Sequence, residues 1–438
     1  MVHVITLGCP KNVVDSEKLL AQLSLNGIRT TPAVEEADVA VVNTCGFITA
    51  ARQESIDVLI GQVRRKEAGH LERVFAVGCL PELHRSALQE AIPEVDGWFG
   101  AQDMAGLLRA LGGELRRNGC CARVLTTPPH TAYLKIGDGC DRRCSFCTIP
   151  AIRGPLASRA EGEVLREARG LVAGGVRELV LVAQDTTSYG RDRGGRPLLA
   201  GLLERIALLD GLLWVRVLYG YPAGFPEGVL RVLGGHPSLF PYLDIPLQHA
   251  ADSVLRSMRR GISEAGIRRL LDRIRERAPG ITLRTTLMVG YPAEGPREFR
   301  ILERFVERER FDRLGVFVYS AEEGTQARAL GDPVPPAEKE RRREVLMEMQ
   351  REISLGKNEA LVGTVQKVLV DRKEGTMFAG RTREDAPEID NEVYVRSSRA
   401  LAIGAICDVA IEGASEYDMY GRATRRKNSR PSPAGEPA

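Results

Sequence analysis

The feature that most constrains the fold is a repeat of apolar segments and amphipathic helical patterns between residues 126 and 355. Six of the segments have the pattern of strands: AYLKIG, ELVLVAQ, LLWVRVLY, YLDIPLQ, ITLRTTLMVG and RLGVFVYS. Apolar strands that alternate with helices are typical of a parallel sheet with both faces covered. We therefore expect repeated βα units in a barrel or partial barrel, with functional side chains at the carboxyl ends of the strands.

Three cysteines follow the first of these strands, in the sequence GDGCDRRCSFCTIP. Cys140, Cys144 and Cys147 supply three thiolates from one short loop. A four-iron cluster normally takes four cysteine ligands, so three leave one iron open to bind another molecule. Structural zinc is the alternative, but it needs four ligands, usually in separated pairs, and no fourth Cys or His is near in the sequence. The spacing therefore favours an iron–sulfur cluster with an open position.

Residues 1–125 also alternate between apolar strands and helices, which predicts a second parallel sheet. One helix is predicted over NVVDSEKLLAQLSLNG, with Asp15 as its N-cap and Gly27 as its C-cap. Each of the strands HVITLG, ADVAVVNTCG and RVFAVGC ends at a cysteine, namely Cys9, Cys45 and Cys79. Parallel strands bring their carboxyl ends to one edge, so we expect a second three-cysteine cluster there. The alternative is three buried structural cysteines.

The segment 356–424 changes to short alternating strands with glycine and asparagine turns, which predicts a small antiparallel barrel after a linking helix. The polar, proline-rich residues 425–438 are predicted to be disordered. Cys120 and Cys121 lie in a charged connector, RRNGCCARV, without the context of a strand, and we interpret them and Cys407 as thiols that bind no metal.

The composition of the chain limits the cellular environment and the kinds of partner that we expect for it. A formal net charge of +3 on 438 residues implies no general polyanion partner, and no apolar run is long enough to span a membrane. Nine cysteines are an odd number and do not resemble a secreted disulfide framework. We expect a cytoplasmic protein with metal-bound thiolates.

The cysteine triplet resembles the signature of the radical S-adenosylmethionine (SAM) superfamily. Almost the whole chain is similar to the methylthiotransferase family, the MiaB/RimO group, through LGCPKNVVDSE, NTCGF, VGCLPE, GCDRRCSFCTIPAIRGPLASR, YLDIPLQHAADSVLRSMRRG, RTTLMVGYP and YSAEEGT. LGCPKN resembles the subgroup that modifies a ribosomal protein, since the tRNA-modifying subgroup usually has Gln-Met-Asn where this chain has Pro10, Lys11 and Asn12. One departure is Ala160, where the family commonly has proline.

The resemblance implies two 4Fe–4S clusters, SAM cleavage to a hydrogen-abstracting radical, and insertion of a methylthio group into an unactivated C–H bond. By residue match, the SAM cluster would be held by Cys140, Cys144 and Cys147, and the auxiliary, sulfur-carrying cluster by Cys9, Cys45 and Cys79. The implied domains are an N-terminal methylthiotransferase domain (1–125), a radical SAM core (126–355), a substrate-binding TRAM domain (356–424) and a tail (425–438). The implied substrate is the β-carbon of an aspartate in ribosomal protein S-twelve, and the implied electron donor is a flavodoxin or ferredoxin.

Several other side chains are candidates for contacts to SAM. Phe146 lies between two of the cluster cysteines, and Gln184 and Asp185 follow the second strand, where the superfamily contacts the SAM amino group. Polar side chains that end later strands are candidates at the barrel mouth: Arg216, Tyr219 and Gln248. His249 is interpreted as a polar residue with its hydrogen bonds satisfied.

Charge bears on the choice between protein and RNA. Residues 359–424 contain twelve Asp and Glu against eight Lys and Arg, a net charge of −4. Such a surface suits a basic ribosomal protein better than RNA phosphates, so RNA contact is not favoured. Two other readings stay open: the same chemistry on tRNA, and a non-catalytic iron–sulfur redox sensor.

Overall fold

The structure is a computed structural model that describes residues 1–116, 119, 121–233 and 235–424. They fall into two compact units, Met1–Gln350 and a unit that begins at Arg351. Within the described ranges, no helix combines the length and apolar character that a membrane crossing needs. Cys120 and the predicted tail 425–438 lie outside the described residues. The bounds predicted for the individual domains stay predictions.

The N-terminal sheet has four parallel strands in the order β1-β2-β3-β4. Its strands are β1 (Val2–Thr6), β2 (Val39–Thr44), β3 (Arg73–Gly78) and β4 (Gly97–Gly100). Its helices are α1 (Pro10–Leu25), α2 (Thr49–Glu67), α3 (Cys79–Ala91) and α4 (Met104–Ala110). Every residue of β2 is buried, as expected for an inner strand covered on both faces. The three strands predicted here are confirmed, whereas the short β4, with sequence GWFG, was not predicted.

Helix α1 begins earlier than the sequence pattern indicated. Cys9 is its N-cap and Pro10 occupies the first turn, where a backbone N–H has no partner within the helix and the fixed φ of proline is suitable. The prediction that Asp15 caps the helix is therefore wrong, because Asp15 lies inside it. Gly27 follows the end of the helix with a φ of +71°.

The second sheet has six parallel strands, and strands that follow one another in the chain are neighbours in the sheet. The six strands are β5 (Thr131–Lys135), β8 (Glu178–Val182), β9 (Trp214–Val217), β10 (Tyr242–Asp244), β11 (Thr282–Val289) and β12 (Arg313–Val318), while β6 (Gly137–Asp138) and β7 (Ala157–Ser158) form a small antiparallel ladder. The helices are α5 (Ile149–Arg153), α6 (Glu161–Ala173), α7 (Leu199–Ala207), α8 (Glu227–Val232), α9 (Asp252–Ser257), α10 (Glu264–Arg277) and α11 (Pro296–Glu309). This sheet is the predicted partial (βα)6 barrel, with all six strands confirmed.

Helix α12 (Pro336–Glu359) precedes a closed five-stranded barrel in the second unit. Its strands are β13 (Val365–Glu374), β14 (Met377–Thr382), β15 (Glu392–Arg396), β16 (Ile406–Ala414) and β17 (Asp418–Ala423). The prediction of a small antiparallel barrel is confirmed apart from one pair, since β15 and β17 run parallel. Cys407 is buried in the barrel core, and burial raises the pKa of its thiol to about 11, which agrees with a packing role.

Candidate active site

The loop with Cys140, Cys144 and Cys147 follows β6 at the carboxyl end of β5 and leads into α5. Gly139 fixes its start, because a Cβ there would lie 1.9 Å from the carbonyl oxygen of Pro155, and its φ of +69° favours glycine. Cys140 N–H donates to Gly154 O at 3.1 Å, and Ser145 N–H donates to Met258 O at 3.1 Å. The loop is therefore held on two sides by backbone contacts.

The triplet thiols sit in a shielded environment. Burial is the main cause that raises the pKa of Cys140 to about 11 and that of Cys147 to about 12, and a negative charge on Cys144 acts in the same direction on both. Cys144 Sγ accepts from Arg260 Nη1 at 3.3 Å. Without a metal, Cys140 and Cys147 therefore hold their protons at neutral pH, so metal binding must displace protons from these two thiols.

The structure brings Cys9, Cys45 and Cys79 together at the carboxyl edge of the N-terminal sheet. Cys9 caps α1, Cys45 follows β2, and Cys79 begins α3 directly after β3. A Cβ on Gly8 would lie 2.7 Å from Cys45 Cβ, and the φ of Gly8 is +90°, so glycine permits this close approach. Asn12 reaches both neighbouring segments, since its Nδ2 donates to Leu7 O at 2.8 Å and to Thr44 O at 3.1 Å.

These three thiols differ in acidity. Burial raises the pKa of Cys79 to about 11 and also raises that of Cys45, and a thiolate at Cys9 adds to both shifts. Burial acts on Cys9 in the same direction, but the Lys11 ammonium and the backbone N–H groups of Asn12 and Lys11 outweigh it. The pKa of Cys9 is therefore lowered. These mutual effects show that the three thiols lie within electrostatic reach of one another.

In the described part of the chain, no group of three or more His, Cys, Asp or Glu side chains surrounds a single point closely enough to hold one metal ion. A four-iron cluster needs a wider arrangement, because each cysteine binds a different iron. Two sets of three thiols, each fixed by tight glycine turns and next to an arginine or lysine, fit such clusters.

Arg153 connects the two cysteine sets. It ends α5, which follows Cys147, yet its Nη2 donates to Asn12 Oδ1 at 2.8 Å and lies 3.6 Å from Cys79 Sγ. Its Nη1 donates to Asp15 Oδ2 at 2.8 Å and to Asp138 Oδ2 at 3.2 Å. A buried guanidinium thus joins the loop of the first triplet to the edge that holds the second.

The side chains predicted beside the triplet have separate roles. Gln184 Nε2 donates to Asp138 Oδ1 at 3.0 Å, while Gln184 Oε1 is buried and has no hydrogen-bond partner within the described ranges. Asp185 pairs with Arg142 Nε at 2.8 Å and caps a short turn through Ser188. Phe146 is partly buried and packs against an apolar cluster that includes Tyr291.

Two other candidates lie at strand ends with unusual backbones. Tyr219 has a φ of +62° and Gln248 a φ of +75°, a conformation that is uncommon for residues other than glycine. Gln248 is held there by backbone bonds to Thr286 and Met288. His249 is buried and bonds to Glu294 at 3.1 Å and to Ala251 N–H at 2.9 Å, so its interpretation as a satisfied residue is confirmed.

The location predicted for Arg216 is wrong. Its side chain is fully buried, and its Nε lies 2.5 Å from Oε1 of Glu178, the first residue of β8. Arg216 also packs against the rings of Trp214 and Tyr242. A solvent-excluded guanidinium paired towards the amino end of the sheet is a core residue, so we do not include it among the SAM contacts.

Sequence reasoning missed the polar residues that surround the thiols. They are Lys11, Asn12, Asp138, Arg153, Tyr221 and Arg260. Four of them stand in motifs that carried the family resemblance, LGCPKN, AIRG and MRRG, but nothing in those motifs indicated which side chain would reach a sulfur. Ala160, where the family commonly has proline, is the N-cap of α6. Its φ of −60° is one that proline also adopts.

Comparison with known proteins agrees with this arrangement. Residues 1–100 match the uncharacterized protein family UPF0004, residues 134–306 the radical SAM superfamily, and residues 362–424 the TRAM domain. The ribosomal protein uS12 methylthiotransferase RimO of Chloroherpeton thalassium is 47% identical over 96% of this chain and 98% of its own. The protein of the same name from Flavobacterium johnsoniae is 45% identical over 96% and 97%.

The chain belongs to the RimO family of methylthiotransferases. It is therefore a radical SAM enzyme, which implies one 4Fe–4S cluster and SAM as cofactors. The fold is also that of the radical SAM methyltransferase TsrM from Kitasatospora setae, with a TM-score of 0.52, 15% identity, and coverage of 72% of this chain and 74% of that chain. The family resemblance and the fold class inferred from the sequence are both confirmed.

Proposed function

We propose that this RimO-family enzyme holds two 4Fe–4S clusters and inserts a methylthio group at the β-carbon of an aspartate in ribosomal protein uS12. The observation that carries the proposal is the pair of thiol sets within one compact unit, joined by the contacts of Arg153. Cys140, Cys144 and Cys147 would hold the cluster that binds SAM. Cys9, Cys45 and Cys79 would hold the second cluster. When bound, the clusters and SAM supply the hydrogen-atom abstraction and the sulfur that this reaction needs.

The residues of the chain set the conditions for this chemistry. Gly139 and the backbone bonds of Cys140 and Ser145 fix the loop of the first triplet, and Gly8 allows Cys9 and Cys45 to approach. Gln184 is the best-supported SAM contact, because its buried Oε1 needs a donor and the SAM amino group can provide one. Phe146 and Gln248 remain candidates through their position beside the triplet and at the end of β10.

The choice of uS12 is supported by the names of the relatives and by charge. Relatives that align along nearly their whole length with this chain are named for uS12. The negative balance of residues 359–424 favours a basic protein over RNA phosphates. The tRNA alternative is not favoured, because the relatives quoted are named for uS12. The redox-sensor alternative is not favoured either, because the chain belongs to a family of methylthiotransferases, which are enzymes. A flavodoxin or ferredoxin would provide the electrons.

Mass spectrometry of ribosomal proteins and tRNA from a strain that lacks this gene tests the proposal. Restoring the gene should make uS12 heavier by about 46 Da, the mass of a methylthio group less one hydrogen. Tandem mass spectrometry should place the added mass on an aspartate. A gain of thiolated tRNA with uS12 unchanged would overturn the proposal.

Variants assign the two thiol sets. Cys140→Ala should abolish SAM cleavage, whereas Cys45→Ala should still form 5′-deoxyadenosine without modifying uS12. Cys407→Ala is the matched control, because this cysteine is buried in the barrel of the second unit, and it should keep full modification. Unchanged product formation by Cys45→Ala would contradict the role of the second set.

A further inference from the structure

Each cysteine set has a thiol within hydrogen-bond distance of a buried guanidinium. Arg153 Nη2 lies 3.6 Å from Cys79 Sγ, and Arg260 Nη1 lies 3.3 Å from Cys144 Sγ. Arg153 is 3% exposed and Arg260 is 4% exposed, so water screens neither charge effectively. Both contacts are long-range in sequence, with separations of 74 and 116 residues.

The two arginines differ in how their charge is compensated. Arg153 is held by two carboxylates, those of Asp15 and Asp138, which also pair with Lys135. Its charge is therefore largely neutralised before any thiolate forms. Arg153 still acts on Cys79 Sγ through its charge and through a hydrogen bond at 3.6 Å, but the two carboxylates oppose that charge.

Arg260 has no carboxylate partner among the described residues. Its Nη2 donates to Pro246 O, its guanidinium packs on the Tyr221 ring at 4.3 Å, and its Nε is buried without a hydrogen-bond partner within the described ranges. Tyr221 OH donates to Arg260 O at 2.8 Å and keeps the two side chains together. The charge of Arg260 is therefore available to the sulfur of Cys144.

We propose that Arg153 and Arg260 each raise the reduction potential of the cluster beside it, Arg260 more strongly than Arg153. Reduction transfers one electron from an external donor to a cluster and makes or breaks no bond, so it adds one negative charge beside the cation. Hydrogen bonds to cluster sulfurs and nearby charge are known determinants of this potential. Both residues act through a cysteine and are positioning residues. The inference rests on the proposed assignment of the two cysteine sets to two clusters.

The test measures each cluster alone. One triple variant lacks the first set of thiols and should keep only the second cluster: Cys140→Ala/Cys144→Ala/Cys147→Ala. The other lacks the second set and should keep only the first cluster: Cys9→Ala/Cys45→Ala/Cys79→Ala. Each reconstituted protein is titrated with dithionite under electron paramagnetic resonance, with and without Arg153→Met or Arg260→Met. At a fixed potential, Arg260→Met should lower the ratio of reduced to oxidised first cluster about tenfold. For a one-electron couple this corresponds to a reduction potential that is about 59 mV lower. Arg153→Met should lower the ratio for the second cluster by a smaller factor.

Each variant also serves as a control for the other. Arg153→Met should leave the reduction potential of the first cluster unchanged, and Arg260→Met should leave that of the second unchanged. Arg142→Met is the matched control for loss of an arginine on the Tyr221 ring. Arg142 packs 4.0 Å from the ring centre, but its guanidinium pairs with Asp185, so its removal should lower the potential of the first cluster less than Arg260→Met does. Arg153→Lys and Arg260→Lys keep the cation and should shift the potentials less than the methionine variants.

The outcomes separate this inference from the proposed function. A wild-type protein with about four iron atoms instead of the eight of two 4Fe–4S clusters would contradict the second cluster itself. Full iron content with unchanged potentials in the methionine and lysine variants would overturn the inference alone. Equal shifts of both clusters by either variant would also overturn it, because they would indicate a general structural effect.

Discussion

The ammonium nitrogen of Lys11 lies 3.6 Å from the centre of the Tyr219 ring. Lys11 stands two residues after Cys9 on α1, and Tyr219 follows β9 of the six-stranded sheet with a left-handed backbone. A cation over an aromatic face is stabilising, the more so where water is excluded. This contact ties the beginning of α1 to the carboxyl end of the second sheet, and it holds a positive charge close to Cys9.

Lys11→Met should make Cys9 a weaker acid. The ammonium lowers the pKa of this thiol, so its removal should raise the pKa and reduce the thiolate fraction at neutral pH. Alkylation of the metal-free protein by iodoacetamide at pH 7, followed by peptide mass spectrometry, should show Cys9 reacting several-fold more slowly. Lys18→Met, on the same helix, serves as control, and an unchanged rate in Lys11→Met would refute the electrostatic account.

Gly139→Ala should prevent the first triplet from binding iron. The added Cβ would meet Pro155 O and Gly154 O, both backbone atoms that cannot easily move. Gly154→Ala is the matched control, because its φ of +71° is close to the +69° of Gly139 but its Cβ would meet open space. The control has a ψ of −165°, a backbone region almost restricted to glycine, so it should cost about 1–3 kcal/mol of unfolding free energy and keep its iron. Equal iron loss in both variants would show that backbone strain, and not the clash, is responsible.

Breaking the buried pair of Arg216 and Glu178 should lower stability without weakening SAM binding. Arg216→Met leaves a buried carboxylate without this partner, which should cost about 3–5 kcal/mol in urea unfolding. The double variant Arg216→Met/Glu178→Leu should recover much of the loss, since two apolar side chains replace the pair. A tenfold weaker affinity for SAM in the folded double variant would restore Arg216 as a ligand contact.

Lys18→Met should stabilise the fold at neutral pH. Burial lowers the pKa of Lys18 to about 8, although Glu167 lies 3.6 Å away. The folded protein therefore bears the cost of a buried charge below pH 8 and is relieved of it as the pH rises towards the ordinary pKa of 10.5. The variant should gain about 1–2 kcal/mol at pH 7, and the difference should shrink near pH 10. Glu167 keeps Arg123 and Arg159 as partners, each at 2.7 Å. A constant difference across this range would contradict the titration of Lys18.

The sequence predicted the sheets well because their strands are buried on both faces and read as continuous apolar runs. All six strands of the second sheet and three strands of the first followed from this pattern, and so did the placement of Cys9, Cys45 and Cys79 at strand ends. Strand β4 was missed because four residues with two glycines carry little periodic signal. Asp15 resembles a helix cap in the sequence because acidic residues are typical caps, but α1 begins earlier, at Pro10.

The surroundings of the thiols could not be predicted in the same way. Arg153 and Arg260 reach sulfurs 74 and 116 residues away, and no local pattern encodes such a contact. Arg216 illustrates the opposite error, since a polar residue near the end of a strand looks like a ligand contact. Its side chain instead pairs with Glu178, a partner on the neighbouring strand that the one-dimensional pattern does not indicate.

The five strands of the second unit close on themselves, with β15 and β17 completing the circle in parallel. A closed barrel leaves no strand with a free row of backbone N–H and C=O groups. Among the described residues, the barrel therefore offers an extended peptide no open sheet edge to which it could add a strand, a common way for proteins to hold unfolded segments. A polypeptide that binds to this barrel must be recognised through the side chains and loops of the barrel. The selectivity of binding should therefore change with surface substitutions and should not depend on the backbone N–H and C=O groups of the strands.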